Sequence, residues 1–186
     1  NLILRDLDIL KALHKDRLIH VNMSITTLNE ELRQKLEPRT VTGMGRLKVV
    51  HKLAEAGIPV RVMVAPIIPG LNSDEIPEIV KQAAAHGAVG ANFTIVRLNG
   101  AVGHIFNDWI HKAYPDRAQK VLNRISACHG GNLNDTRWGT RLKGDGTEAE
   151  AIHQLFKIMT KKYGLHSKSV ALNYEDFTNI HRQQLK

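Results

Sequence analysis

The chain has 186 residues, 42% hydrophobic and 24% charged, enough for one globular domain with a core of its own. It contains no run of about 18 apolar residues, which excludes a membrane-spanning helix. The single cysteine, Cys128, excludes an internal disulfide and any zinc or iron–sulfur site built from several cysteines of these residues. A lone cysteine also suits a reducing compartment, so a cytoplasmic location is expected. The 26 Lys and Arg against 18 Asp and Glu leave a formal charge of +8. That balance is compatible with a polyanionic partner or with a plain basic surface.

The first fifteen residues read as a helix, with Leu7, Leu10 and Leu13 on one stripe. Residues 18–25 read as a strand whose polar positions His20, Asn22 and Ser24 recur at period two. That period fits either the inward face of a barrel or a half-exposed strand. Thr27-Leu-Asn-Glu30 matches a capping box and opens a short helix stopped by Pro38. Residues 42–56 form a longer helix with Leu47, Val50, Leu53 and Ala54 inward and Gly57 as its C-terminal cap.

Residues 57–72 then run through Val60, Val62, Met63 and Val64 with no regular polar alternation, and leave through Pro66, Pro69 and Gly70. This is the pattern of a parallel strand buried on both faces. Ligands bind at the carboxyl ends of such strands, so residues 65–72 form a candidate site.

Asn72-Ser-Asp-Glu75 gives a second capping box, followed by a helix on Ile76, Ile79, Val80, Ala83 and Ala84 that Gly87 ends. Residues 88–98 form a third strand. From His104 the pattern is helical through Ile105, Trp109 and Ile110, and a further helix over 116–127 carries Val121, Leu122 and Ile125. Residues 129–146 are a loop rich in Gly and Arg. Its glycines would let backbone N–H groups approach a phosphate, although the spacing fits neither a P-loop nor a dinucleotide fingerprint. The last long helix covers 147–164 on Ala151, Ile152, Leu155, Phe156 and Met159, and 169–174 is strand-like. The second half concentrates cations, namely Arg137, Arg141, Lys143, Lys157, Lys161, Lys162, Lys168, Arg182 and Lys186.

Alternating helices and strands with short loops imply parallel strands joined by right-handed crossovers. Three strands close no barrel and leave two uncovered edges as an open sheet. Further strands are therefore expected upstream, and the absent initiator Met points the same way.

Three pieces carry a resemblance: Leu4-Arg-Asp-Leu-Asp-Ile-Leu10; Val21-Asn-Met-Ser-Ile-Thr-Thr27; and Leu36-Glu-Pro-Arg39 with Arg46, Ala54-Glu-Ala-Gly-Ile-Pro-Val60 and Val62-Met-Val-Ala-Pro-Ile-Ile-Pro-Gly70. In this order they resemble the second half of a radical S-adenosylmethionine (SAM) protein of the spore photoproduct lyase-like group, and residues 130–141 resemble that group's carboxyl-terminal region. The resemblance implies an α/β fold, the C-terminal half of a partial (β/α)6 TIM-like barrel with parallel strands. Residues 1–103 would supply the last three strands and their helices, and 104–186 a mostly helical C-terminal region packing on the barrel.

It also implies SAM and a [4Fe-4S] cluster as cofactors, with the cluster cysteines upstream, no metal ligand in this chain, and radical chemistry on a substrate such as a DNA photolesion. An electron donor such as flavodoxin or ferredoxin would be a partner, with DNA or another polyanion as substrate and no membrane. Four positions match the family's cofactor contacts. Ser24 matches a hydroxyl on SAM, Arg46 a basic partner for the SAM carboxylate, and Ala65 with Pro66 the backbone bordering the adenine. Cys128 matches none of the family's cysteines and reads as a core or surface residue.

The alternative is a basic nucleic-acid-binding module without catalysis. An unrelated barrel enzyme ranks last, because no Lys or paired carboxylates stand at 25–27, 65–69 or 98–99.

Overall fold

The computed structural model describes residues 2–166 and 170–175. The chain opens on a 3-10 turn, Leu2–Asp6, and helix α1, Leu7–Lys15, rather than on one continuous helix. Then follow β1 (Val21–Ile25), α2 (Glu30–Leu36), α3 (Gly43–Glu55), β2 (Val60–Ile67), α4 (Ile76–Ala85) and β3 (Gly90–Ile95). Helices α5 (Ala101–Ala113), α6 (Ala118–Ala127) and α7 (Gly146–Lys162) complete it. The strand-like piece is not a strand over 170–174, and Ser169 lies outside the described residues, as do Lys168, Arg182 and Lys186.

The three strands form one parallel sheet in the order β1-β2-β3. Ser24, Met63 and Asn92 stand in register across it, so their side chains share one face. On that face Ser24 and Asn92 are exposed and Met63 half-buried. The other face, with Val21, Ile25, Val60, Val62, Val64 and Ala91, is buried in the main core together with α3, α4 and α7. Each Val, Leu or Ile sealed there contributes about 1.5–3 kcal/mol of burial free energy.

A second core forms at the carboxyl ends of the strands. Ile68 and Leu71 after β2, and Val96 and Leu98 after β3, pack with Leu32 of α2, Phe106 and Ile110 of α5, and Val121, Leu122 and Ile125 of α6. Several expected stripe positions face outward instead: Ile105 is 67% exposed, and Leu13 and Ala151 are exposed as well. Ala149 is the alanine of α7 that enters the core.

Helices α3 and α4 end as their sequences require. Gly57 (φ 79°) and Gly87 (φ 85°) take left-handed conformations. Each is followed by a residue whose N–H reaches back into the last turn, Ile58 to Leu53 O at 3.0 Å and Ala88 to Ala83 O at 3.0 Å.

The two sheet edges differ. The outer edge of β3 is covered by the C-terminal region, for Ala91 N–H donates to Leu165 O at 3.2 Å and Ile95 N–H to Leu142 O at 2.9 Å. This corrects the expectation of two open edges. Strand β1 pairs only with β2 among the described residues.

Candidate functional site

The carboxyl ends of β1 and β2 meet through side chains from the loops that follow them. The Thr26 hydroxyl donates to Glu37 Oε1 at 2.8 Å and lies 3.1 Å from the Ala65 carbonyl. Glu37 Oε2 accepts from Arg46 Nη2 at 2.8 Å. The same guanidinium donates to the Ser24 carbonyl at 2.9 Å through Nη1 and to the Val41 carbonyl at 3.2 Å through Nε. Ser24 and Arg46 are thereby brought together, with Ala65 one hydroxyl away. Arg46 reaches this point because Thr42 caps α3, accepting from Gly45 N–H at 3.0 Å, so the first turn of the helix stands beside β1. Ala65-Pro66 is a cis peptide in an irregular stretch of β2, between the pairings of Val64 and Ile67 with β3.

Both expected capping boxes are absent, and their residues tie the site together instead. The cap of α2 is Asn29, which accepts from Leu32 N–H at 3.0 Å, while Glu30 pairs with Arg33 at 2.7 Å. Thr27 donates its hydroxyl to Glu75, whose carboxylate also accepts from Leu28 N–H at 2.7 Å and Asn29 N–H at 3.1 Å. Asn72 is buried and caps nothing. Its Oδ1 accepts from Ile68 N–H at 2.7 Å, and its Nδ2 donates to Thr26 O at 2.8 Å and Pro66 O at 3.1 Å. One amide thus fastens the exit of β1 to the exit of β2.

The loop after α6 holds a network that local patterns did not reveal. Asp135 is buried and accepts from Arg137 through backbone N (2.9 Å), Nε (3.0 Å) and Nη2 (2.8 Å). The buried His129 ring faces it at 3.3 Å and touches the Val96 carbonyl with Nε2 at 2.8 Å. Arg137 also pairs with Asp145 at 2.6 Å. The glycine-rich loop is therefore anchored on the segment leaving β3, and Arg137, counted among the basic residues, is neutralised by two carboxylates.

Hydrogen bonds from the Arg137 side chain hold the Asp135 carboxyl well below the usual carboxylate range, against the opposing effect of burial. A depressed folded-state value stabilises the fold above the unfolded Asp value and loses that stabilisation as pH falls through the folded value. Asp135→Asn is therefore expected to lower the urea midpoint at neutral pH, and the gap to wild type should narrow below about pH 4. A gap that stays constant into acid would refute this.

Cys128 is fully buried in the main core, and burial pushes its thiol up to about 11, with Glu148 and Asp145 adding to the rise. Such a thiol is a packing group rather than a ready thiolate ligand. Among the described residues no group of three or more His, Cys, Asp or Glu is placed to hold a metal ion, and no helix is long and apolar enough to cross a membrane.

Comparison with known proteins adds relatives. An uncharacterised protein of Mycobacterium tuberculosis is 29% identical over 117 residues, 62% of this chain and 34% of the relative. An uncharacterised protein of the Acidianus two-tailed virus is 40% identical over 81 residues, 44% of this chain and 25% of the relative. The chain thus spans about a third or less of these relatives' length. No solved structure gives a significant match. Residues 1–83, which build β1, β2 and the helices from α1 into α4, match the family model of the Radical SAM superfamily.

Proposed function

We propose that this chain is the cofactor-holding C-terminal portion of a radical SAM enzyme of the spore photoproduct lyase-like group. In this reading Ser24, Arg46, Ala65 and Pro66 contact SAM. The observation that supports it best is the convergence of the Arg46 guanidinium on Ser24 at 2.9 Å, on the carboxyl end of β1 and within the matched residues.

The donor set fits a SAM molecule. The Ser24 hydroxyl is exposed on the face it shares with Met63 and Asn92, and can bond a carboxylate or ribose without adding charge. Arg46 uses one N–H on each of its three nitrogens, leaving a second N–H on Nη1 and on Nη2 for an anionic group. The small Ala65 side chain leaves room for a flat ring, and the Asn72 amide, donating to the Pro66 carbonyl, holds the backbone beside it in position.

SAM bound at a reduced [4Fe-4S] cluster would supply a carbon radical, and Ser24, Arg46, Ala65 and Pro66 would orient its nucleoside and amino-acid ends. The residues present do not fit the cluster itself, since one buried cysteine with a raised pKa cannot supply three thiolates. A DNA lesion as substrate and a flavodoxin or ferredoxin as reductant complete the reading, and the charge of +8 favours a polyanionic substrate.

The test uses the complete gene product, reconstituted anaerobically with iron and sulfide. Reduction should yield 5′-deoxyadenosine from SAM, and Arg46→Ala should weaken SAM binding about tenfold, the loss of one charge-assisted contact. No 5′-deoxyadenosine from the wild type would overturn the enzyme reading, and unchanged SAM affinity in Arg46→Ala would remove Arg46 from the site.

A further inference from the structure

A polar cavity of about 250 Å³ opens between the loop leaving β2 and helix α6. Its walls include Gly70 and Ser73 on one side and Arg117, Lys120 and Arg124 on the other, with Asp74 the one carboxylate. The three cations stand at i, i+3 and i+7 and so lie along one face of α6, from its N-cap Arg117 to Arg124 in its last turn.

Two details organise the cavity. Gly70 (φ 80°) carries no Cβ, and one placed there would sit 3.0 Å from Arg124 Cδ and 3.1 Å from Nη1. The glycine therefore lets the arginine lie across the loop, where Glu148 holds its Nε at 3.3 Å. The Ser73 hydroxyl accepts from Gly70 N–H at 3.1 Å, which leaves its own proton free to donate into the cavity. Arg117 and Lys120 are exposed and form no ion pair among the described residues.

We infer that this cavity binds a phosphate group at the rim of the sheet's carboxyl end. Donors converge from two elements, combining a hydroxyl, two guanidinium groups and an ammonium. Such a set suits a tetrahedral oxyanion with several terminal oxygens better than a single carboxylate, which one guanidinium fork would satisfy. The phosphate belongs either to a nucleic-acid backbone or to a free phosphorylated compound. The inference does not rest on the SAM reading, because none of these side chains belongs to the Ser24–Arg46 cluster.

The experiment compares wild type, Arg117→Ala/Lys120→Ala, and a control, Lys157→Ala/Lys161→Ala, that removes the same charge from exposed positions of α7. One arm follows the melting temperature against inorganic phosphate at constant ionic strength, since a ligand of the native state raises it. The other measures binding of a fluorescent single-stranded oligonucleotide across a KCl series. The Arg117/Lys120 variant should lose the phosphate-dependent rise or bind the oligonucleotide about tenfold more weakly, with a log–log salt slope shallower by about two. Loss in the oligonucleotide arm identifies a phosphodiester as the source, and loss in the phosphate arm alone identifies a free phosphorylated compound. Identical behaviour of the two variants in both arms would overturn the inference.

Discussion

Asn72→Ala is expected to destabilise the chain by about 3 kcal/mol, and Asn72→Asp by more. The amide is 2% exposed and serves three backbone groups at once, Ile68 N–H, Thr26 C=O and Pro66 C=O. Alanine leaves all three unpaired in a site nearly closed to water, and each unsatisfied buried group costs about 1–3 kcal/mol before relaxation. Aspartate keeps the acceptor for Ile68 but turns an anionic oxygen toward two carbonyl oxygens, adding repulsion and an uncompensated buried charge. Urea unfolding with an unchanged m value reads the loss directly. An aspartate variant within about 1 kcal/mol of wild type would show that the amide is not the fastener its geometry implies.

The second large effect is expected at Gly43, the first residue of α3. A Cβ there would run into the Thr27 carbonyl oxygen and approach Leu28 Cδ2 to 2.9 Å. The obstacle is backbone, and it cannot retreat cheaply, because Leu28 N–H and Asn29 N–H are both bound to Glu75. Overpacking of this kind costs about 1–3 kcal/mol, and the gain in helix propensity from Gly to Ala returns at most about 1 kcal/mol. Gly43→Ala should therefore lose about 2 kcal/mol. Gly45→Ala is the milder contrast, since its Cβ would meet side chains only: Val41, at an exposed position that can turn away, and the Thr42 hydroxyl, whose displacement loses the α3 cap at about 1 kcal/mol. Equal urea midpoints for the two variants would count against the close approach of α3 to the loop after β1.

Residues whose behaviour depends on near neighbours were legible in the sequence. Gly57 and Gly87 end their helices as expected, Thr42 begins one, and the near-continuous apolar run of β2, interrupted by Arg61, is a central parallel strand. The two capping-box patterns misled for one reason. Thr27 and Glu75, and likewise Asn72 and Thr26, are separated by more than 45 residues, and a fixed local spacing carries no information about partners brought close by the sheet. The juxtaposition of Ser24 and Arg46 was accessible only through resemblance, because it depends on how the first turn of α3 stands against β1. The Asp135 network was hidden for a different cause. His129, Asp135, Arg137 and Asp145 are spaced irregularly through a glycine-rich loop, and only the docking of that loop on Val96 and Leu98 collects them.

The unequal edges of the sheet have a consequence for assembly. Val21 N–H points to Pro59 O, just before β2, so by the alternation of a parallel strand the backbone groups of Asn22 and Ser24 point away from β2. Beyond β3 the sheet is blocked by the Leu142 and Leu165 carbonyls, whereas beside β1 no further strand pairs among the described residues. That side carries its own latch, because the Ser24 carbonyl is held by Arg46. A strand paired along β1 as far as Ser24 would compete with Arg46 for this carbonyl. An added strand would thus change which N–H groups Arg46 offers at the candidate site, while its charge stays the same.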